Sequence, residues 1–305
     1  MKKIDKNSIA IIVGTRNRLI LLQNLIYSIF SQTKNKFTIH IIDCGSTDGT
    51  VSYLRSLSNK NIRVVYEIDK RGQSISYNSV FNTIKDKYIC WLSDDNLITN
   101  NGIDTAIRIL NEDSKIGMVA LKTKDVIGPF KNSPYIGGIS VLGVLNVNQG
   151  VIRSSVLRRL RGFDEDLTDY GIDPDLTFRV IQKGHKIVYT KKISILHYRQ
   201  WSDDPKSSEF LERKEKIKNS LIYYSQKYKV IDNVLSGFFY QKSTRLIKYV
   251  FGKNPFFMKY ALYRDTYNIV RGKYISLFDF FESFGKQYHL IQDPSRYKFK
   301  ILHKK

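Results

Sequence analysis

Tyr88-Ile89-Cys90-Trp91-Leu92-Ser93-Asp94-Asp95-Asn96 is an apolar run the length of a buried strand that ends abruptly on two adjacent carboxylates. The same form recurs upstream. Residues 9–13 are apolar and lead into Thr15-Arg16-Asn17-Arg18, and residues 37–42 lead into Asp43-Cys44-Gly45-Ser46-Thr47-Asp48-Gly49-Thr50. Residues 62–66 and 117–121 read as further strands. Between the first two strands, Leu22, Leu25, Ile26, Ile29 and Phe30 fall on one face of a helix. Strands alternating with helices predict an α/β fold whose mostly parallel sheet is flanked by helices on both faces. Ligands of such sheets bind beyond the carboxyl ends of the strands. Arginines, short hydroxyls and carboxylates gather there, so that edge is the expected site.

The chain has 305 residues, 42% of them hydrophobic, enough for one large core and an appendage and unlike a disordered or fibrous chain. A formal net charge of +22 points to anionic partners without choosing among nucleotides, phospholipids, nucleic acid and acidic glycans. Cys44 and Cys90 both lie in apolar runs and read as buried thiols of a reducing compartment. No signal-like run opens the sequence, and no stretch reaches the ~18 apolar residues needed to span a bilayer, so the expected location is cytoplasmic.

Adjacent carboxylates at a strand end repel one another unless a cation lies between them or one turns away. Asp94 and Asp95 are therefore candidate ligands for Mg²⁺ or Mn²⁺, which favour oxygen donors. The alternative is a polar turn in which one Asp caps the next helix. Further on, Tyr170-Gly171-Ile172-Asp173-Pro174-Asp175-Leu176 predicts a helix from about Pro174 with Asp173 as its cap. A carboxylate held there is also a candidate general base, and capping would fix its direction. Asn148-Gln149-Gly150 either lines an acceptor or only turns the chain.

The order Thr15-Arg16-Asn17-Arg18, residues 43–50, Asn78, Ser93-Asp94-Asp95, Gly162-Phe163-Asp164-Glu165, Asp173-x-Asp175-Leu176 and His197 resembles family 2 glycosyltransferases of the GT-A fold, over about residues 8–200. The resemblance implies a GT-A nucleotide-binding sheet and a catalytic domain over 1–203, followed by a helical region over 204–305. It implies an inverting transfer from a nucleotide diphosphate-sugar to a hydroxyl of a glycan or lipid-linked acceptor in cell-envelope polysaccharide synthesis. On that basis Thr15, Arg16, Arg18, Asp43, Arg71, Asn78 and Asp94 are expected at the donor, and Asp95 and His197 at a divalent cation, Mn²⁺ or Mg²⁺. Asp173 is expected as the base, with Asn148, Gln149 and Asp175 toward the acceptor. Two positions depart from the family pattern: Ile172 precedes Asp173 where an acidic residue is common, and Asn96 stands where a third carboxylate often does. A nucleotidyltransferase would share the sheet, acidic pair and metal, but the N-terminal part lacks a Gly-rich, Lys-containing phosphate loop. A non-catalytic glycan- or membrane-binding module would not need the acidic set.

From Lys206 onward there are 21 Lys and Arg against 8 Asp and Glu, more than half of the net charge. Phe210, Ile217, Leu221, Tyr224 and Tyr228 form one helical stripe, Asn254-Pro255 is a helix start, and Ser276 caps a further aromatic helix. This region reads as a solvated basic surface over packed helices, a peripheral attachment to an anionic membrane, or a homo-oligomer contact. No nucleic-acid reader motif accompanies the charge.

Overall fold

The computed structural model describes residues 7–68, 71–128, 130–132, 134–137, 146–202, 204–228, 286 and 288–292. Its centre is β1 (Ile9–Thr15), flanked by β2 (Phe37–Cys44) and β4 (Tyr88–Ser93), with β3 (Ile62–Glu67) at the edge, all parallel. Across β4 the sheet continues through β8 (Gly150–Arg153), β6 (Ile116–Ala120), β9 (Lys186–Thr190) and β11 (Tyr288–Gln292). β8 runs antiparallel to both neighbours, and β11 is antiparallel to β9, so the mostly parallel sheet is mixed on that side.

The strands read as near-continuous apolar runs because both faces are covered. One face buries Leu22, Leu25, Ile26 and Ile29 of α1 (Leu19–Gln32) and Ile103, Ala106, Ile107 and Leu110 of α4 (Gly102–Glu112). Phe30, expected on the same stripe, is over a third exposed and meets Phe37 edge-on at 5.1 Å. The other face packs on α3 (Gln73–Phe81), α5 (Ser154–Leu160) and α6 (Ile172–Gln182). Cys90 is buried as expected, whereas Cys44 at the end of β2 is only half-buried; neither is in a disulfide.

A second, three-stranded sheet matters for the site. β10 (Ile195–His197) lies between β5 (Asn96–Ile98) and β7 (Thr123–Asp125), with His197 opposite Asn96 on one side and Asp125 on the other. Residues about 70 to 100 positions apart thus meet at one level, beside the carboxyl end of β4.

Helix α6 starts two residues before Pro174, so Asp173 lies in its first turn and does not cap it. Pro174 is tolerated there because the first four N–H groups of a helix have no intrahelical partner. The cap position falls to Gly171 at φ 89°, where a Cβ would stand 2.6 Å from the Tyr224 hydroxyl.

After residue 204 the described parts are α7 (Ser208–Tyr228) and β11. The stripe of Phe210, Ile217, Leu221, Tyr224 and Tyr228 is helical as expected, with Tyr224 buried. β11 is a strand in a region read as wholly helical; Tyr288-His289-Leu290-Ile291-Gln292 pairs antiparallel with the open edge of β9. The helices expected at Asn254-Pro255 and Ser276, and with them most of the basic region, lie outside the described residues. Among the described residues no helix is long and apolar enough to cross a membrane.

Candidate functional site

The end of β4 holds the acidic pair, and both members are buried. Asp94 Oδ2 accepts a hydrogen bond from the Thr15 hydroxyl at 2.9 Å, and its Oδ1 from the Arg18 guanidinium at 2.9 Å. The same guanidinium nitrogen reaches Asp95 Oδ2 at 3.2 Å. Burial lifts the Asp94 carboxyl above its ordinary range, against the pull of Arg18. Burial would lower Arg18, but Asp94 and Asp95 outweigh it and hold the guanidinium's pKa above normal. Both lie in the turn between β4 and β5, but neither caps α4, whose cap residue is Asn101.

Asp95 Oδ2 also faces His197 Nε2 across 3.4 Å. On the other side of the ring, Nδ1 meets Asp125 Oδ1 at 2.9 Å, and the Tyr135 hydroxyl is 2.9 Å from both. Burial pulls His197 down, but hydrogen bonds and charge from Asp125 and Asp95 prevail and push it up to about 9. For Asp125 burial works upward and is overcome by His197 and Tyr135, leaving its carboxyl below the ordinary range. A gap of 3.4 Å between a carboxylate oxygen and an imidazole nitrogen can be bridged by a cation with bonds of about 2.1 Å. The ring's second nitrogen bonded to a carboxylate is the usual support of a metal-binding histidine. Among the described residues no group of three or more His, Cys, Asp or Glu forms a complete cation cage. Asp95 Oδ2 and His197 Nε2 are donor types that Mg²⁺ or Mn²⁺ accept alongside the phosphates of a substrate.

Asp43 ends β2 in register with Thr15. It is buried; Oδ2 accepts from the Ser46 N–H at 3.1 Å, while Oδ1 is buried without a hydrogen-bond partner. An unpaired buried carboxylate oxygen is costly, and this one lies at the expected ligand edge. The loops around it are locked together: Ser46 accepts from the Asn17 N–H, Asn17 accepts from the Thr47 N–H, and Asp48 caps α1 through the Leu19 N–H. Arg16 is exposed on this rim.

Asp173 lies over the middle of the sheet. Its Oδ1 is buried and has no hydrogen-bond partner. Burial pushes the carboxyl up to about 8, with the Trp91 indole pulling modestly the other way. Trp91 is buried in β4 and donates to the Asn148 carbonyl at 2.8 Å, which ties Asp173, Trp91 and Asn148 together. Gly150 makes room for that ring, since a Cβ there would lie 2.8 Å from the Val119 carbonyl and 3.1 Å from the indole. Gln149 reaches the Ser93 hydroxyl at 3.4 Å. Asn148 and Gln149 thus stand beside the strand end that carries the acidic pair.

Three expected site residues have other surroundings. Asn78 is buried and spends its amide on the backbone of Phe163 and on Glu165, fastening α3 to the loop between α5 and α6. Arg71 is half-exposed and pairs with Glu67 at 2.5 Å; the buried Glu67 also accepts from the Ser76 hydroxyl at 2.6 Å. Asp175 is fully buried, paired with Arg179 at 2.6 Å and Lys227 at 2.8 Å, and bonded to the Tyr228 hydroxyl. Contrary to the expectation of an acceptor contact, Asp175 Oδ2 is committed to Arg179 of its own helix and Oδ1 to Lys227 and Tyr228 of α7. Conversely, Asp125, Tyr135 and Trp91 were not singled out by sequence, because a lone Asp or Tyr in a short strand carries no spacing signal.

A mixed α/β sheet ending in paired carboxylates, with a histidine brought up by a small side sheet, defines the GT-A class. Residues 10–152 match the model described as glycosyl transferase family 2. It is 30% identical over 114 residues to an uncharacterised glycosyltransferase of Rickettsia conorii, covering 37% of this chain and 19% of the relative. It is 27% identical over 107 residues to the GalNAc(5)-diNAcBac-PP-undecaprenol beta-1,3-glucosyltransferase of Campylobacter jejuni, covering 34% of this chain and 35% of the relative. The chain thus spans from about a fifth to a third of the length of these curated relatives. Among solved structures, S. aureus TarS 1-349 with UDP-GlcNAc aligns at TM-score 0.54 and 18% identity, over 67% of this chain and 64% of that one. The mannosyltransferase PcManGT of Pyrobaculum calidifontis, with GDP-Man and Mn²⁺, aligns at TM-score 0.50 and 18% identity, over 67% and 59%. At these identities the likeness concerns the fold.

Proposed function

We propose that the protein is an inverting glycosyltransferase that moves a sugar from a nucleotide diphosphate-sugar to a hydroxyl of a glycan or lipid-linked acceptor. The observation that carries this reading is the meeting of Asp95, His197 and Asp125 beside the end of β4. Asp95 and His197 would hold a divalent cation, with Asp125 and Tyr135 fixing the ring. A cation bound there supplies positive charge against the departing diphosphate. Arg18 adds a guanidinium to the same anion. Asp43 Oδ1, buried and unpartnered, suits an N–H of the nucleotide base.

Asp173 Oδ1 takes the proton of the acceptor hydroxyl while that oxygen attacks the anomeric carbon. The nucleoside diphosphate leaves from the opposite face, and a single displacement inverts the configuration. Because burial holds this carboxyl up to about 8, its base form grows as pH rises toward that value. Asn148 and Gln149 line the acceptor side, while Asn78, Arg71 and Asp175 support the loops around it. A role in envelope polysaccharide assembly at the inner face of the membrane is supported by the undecaprenol-linked glycan in the name of the Campylobacter relative and by the basic C-terminal region.

The test is a thermal-shift panel of UDP-, GDP-, CMP- and dTDP-sugars with and without Mn²⁺, since a ligand bound only by the folded state raises the midpoint. Stabilisation by one nucleotide class that needs Mn²⁺ and is lost in Asp95→Ala is the expected result. No response to any donor in either condition sinks the proposal.

A further inference from the structure

One oxygen of the acidic pair is asked to do two things. Asp95 Oδ2 faces His197 Nε2 at 3.4 Å, where a divalent cation would bridge them, and it already accepts from Arg18 at 3.2 Å. The same guanidinium nitrogen holds Asp94 Oδ1 at 2.9 Å, so Arg18 spans both carboxylates as a cation would. The two carboxylates are nearly fully buried, whereas the arginine side chain keeps 31% of its surface open.

The surroundings show which partner can move. Asp94 is held from behind by the Thr15 hydroxyl, and Asp95 accepts from the Asn96 amide at 3.4 Å and gives its carbonyl to the Tyr198 N–H at 2.8 Å. The Arg18 carbonyl accepts the first α1 hydrogen bond, from Leu22 N–H, which fixes its backbone but leaves a long side chain free to swing. Glu209 of α7 is the further charge close enough to act on it. A guanidinium and a divalent cation on one carboxylate oxygen repel strongly at such distances even with substantial screening.

We infer that Arg18 is the resident counter-ion of Asp94 and Asp95, that a divalent cation must displace it, and that the released guanidinium turns to the diphosphate arriving with the cation. This rests on the cation role proposed for Asp95 and His197. It makes the binding of metal and nucleoside diphosphate mutually dependent. Metal alone competes with Arg18, whereas metal with diphosphate gives the arginine a new anionic partner. Such coupling is reciprocal, each ligand tightening the other by the same factor.

The test measures Mn²⁺ affinity directly, from the free-ion paramagnetic resonance signal and by calorimetry, on the whole chain at pH 8. Wild type, Arg18→Met, Arg18→Gln and Asp95→Asn are compared with Mn²⁺ alone and with saturating UDP or GDP. Without nucleotide, Arg18→Met is expected to bind Mn²⁺ about tenfold tighter than wild type, a usual size for coupling between two sites. The nucleotide that tightens Mn²⁺ binding in wild type should do so much less in Arg18→Met. Equal or weaker Mn²⁺ binding by folded Arg18→Met, including no detectable binding by either protein, overturns the inference. If the methionine variant fails to fold by circular dichroism, Arg18→Gln carries the same expectation and the same refutation. Unchanged Mn²⁺ binding by Asp95→Asn, by contrast, refutes the underlying cation assignment.

Discussion

Asp173→Asn separates the chemical role of this side chain from its energetic one. The folded carboxyl is held up to about 8 by burial, against an ordinary value of 3.8. Between those values the unfolded chain has released its proton and the folded protein still holds it. Stability from this group is therefore complete below about pH 4, falls as pH rises, and is gone above about pH 8. About four units at ~1.4 kcal/mol each bounds the loss at about 6 kcal/mol. Asparagine has no proton to lose, so its advantage over wild type should be near zero at pH 4.5 and reach several kcal/mol at pH 9. Urea denaturation of both proteins at pH 4.5, 6.5 and 9 measures that difference. In parallel, sugar transfer should vanish in the variant at every pH while donor-dependent thermal stabilisation persists. A stability difference that does not change with pH would refute the burial argument. Transfer at the wild-type rate would remove Asp173 as the base.

Further perturbations probe the supports of the site. Asp125→Ala should weaken Mn²⁺ binding about 10- to 100-fold, because His197 loses the group that orients its ring, and calorimetry reads this without an activity assay. Gly150→Ala puts a methyl 2.8 Å from the Val119 carbonyl and against Trp91; urea denaturation should register a loss of about 1–3 kcal/mol. Arg179→Ala strips the fully buried Asp175 of its 2.6 Å partner and should cost about 3–5 kcal/mol by the same method.

β1, β2, β3, β4 and β6 are legible because each is a mostly apolar run of the right length, and α1 because its apolar positions repeat at helical spacing; β8, β9 and β11 are not among the expected strands, since their places depend on partners distant in sequence. The acidic pair is legible because charge directly after a buried strand is a discontinuity. Asp125 and Tyr135 are not, since their meaning comes from register. Asp125 matters because β7 and β10 put it opposite His197, a pairing across 72 positions that no local pattern encodes. The start of α6 was misplaced because Pro174 reads as a first helical residue, although any of the first few positions tolerates it. Asn78, expected at the ligand, ties α3 to the loop after α5; an amide serves either purpose, and only its partners distinguish them.

The contacts of α7 fasten this helix to the loop before α6 and to the first turn of α6. Lys216 pairs with Asp169, Lys227 with Asp164 and Asp175, and the Tyr224 hydroxyl donates to the carbonyl of Gly171. Those partners sit in the loop and first turn that present Asp173. A buried carboxyl held neutral over most of the physiological range is an energetic liability in the charged form, and the helix bearing it must resist moving toward water. Asp175, two residues on, meets Arg179 from its own helix and Lys227 and Tyr228 from α7, so displacing α6 would break charge-assisted bonds across that interface. Cutting the chain before α7 is therefore expected to loosen α6 and let the Asp173 carboxyl reach water. The cut would lower its pKa while loosening the geometry that aims it, so the base would ionise at lower pH and work less well.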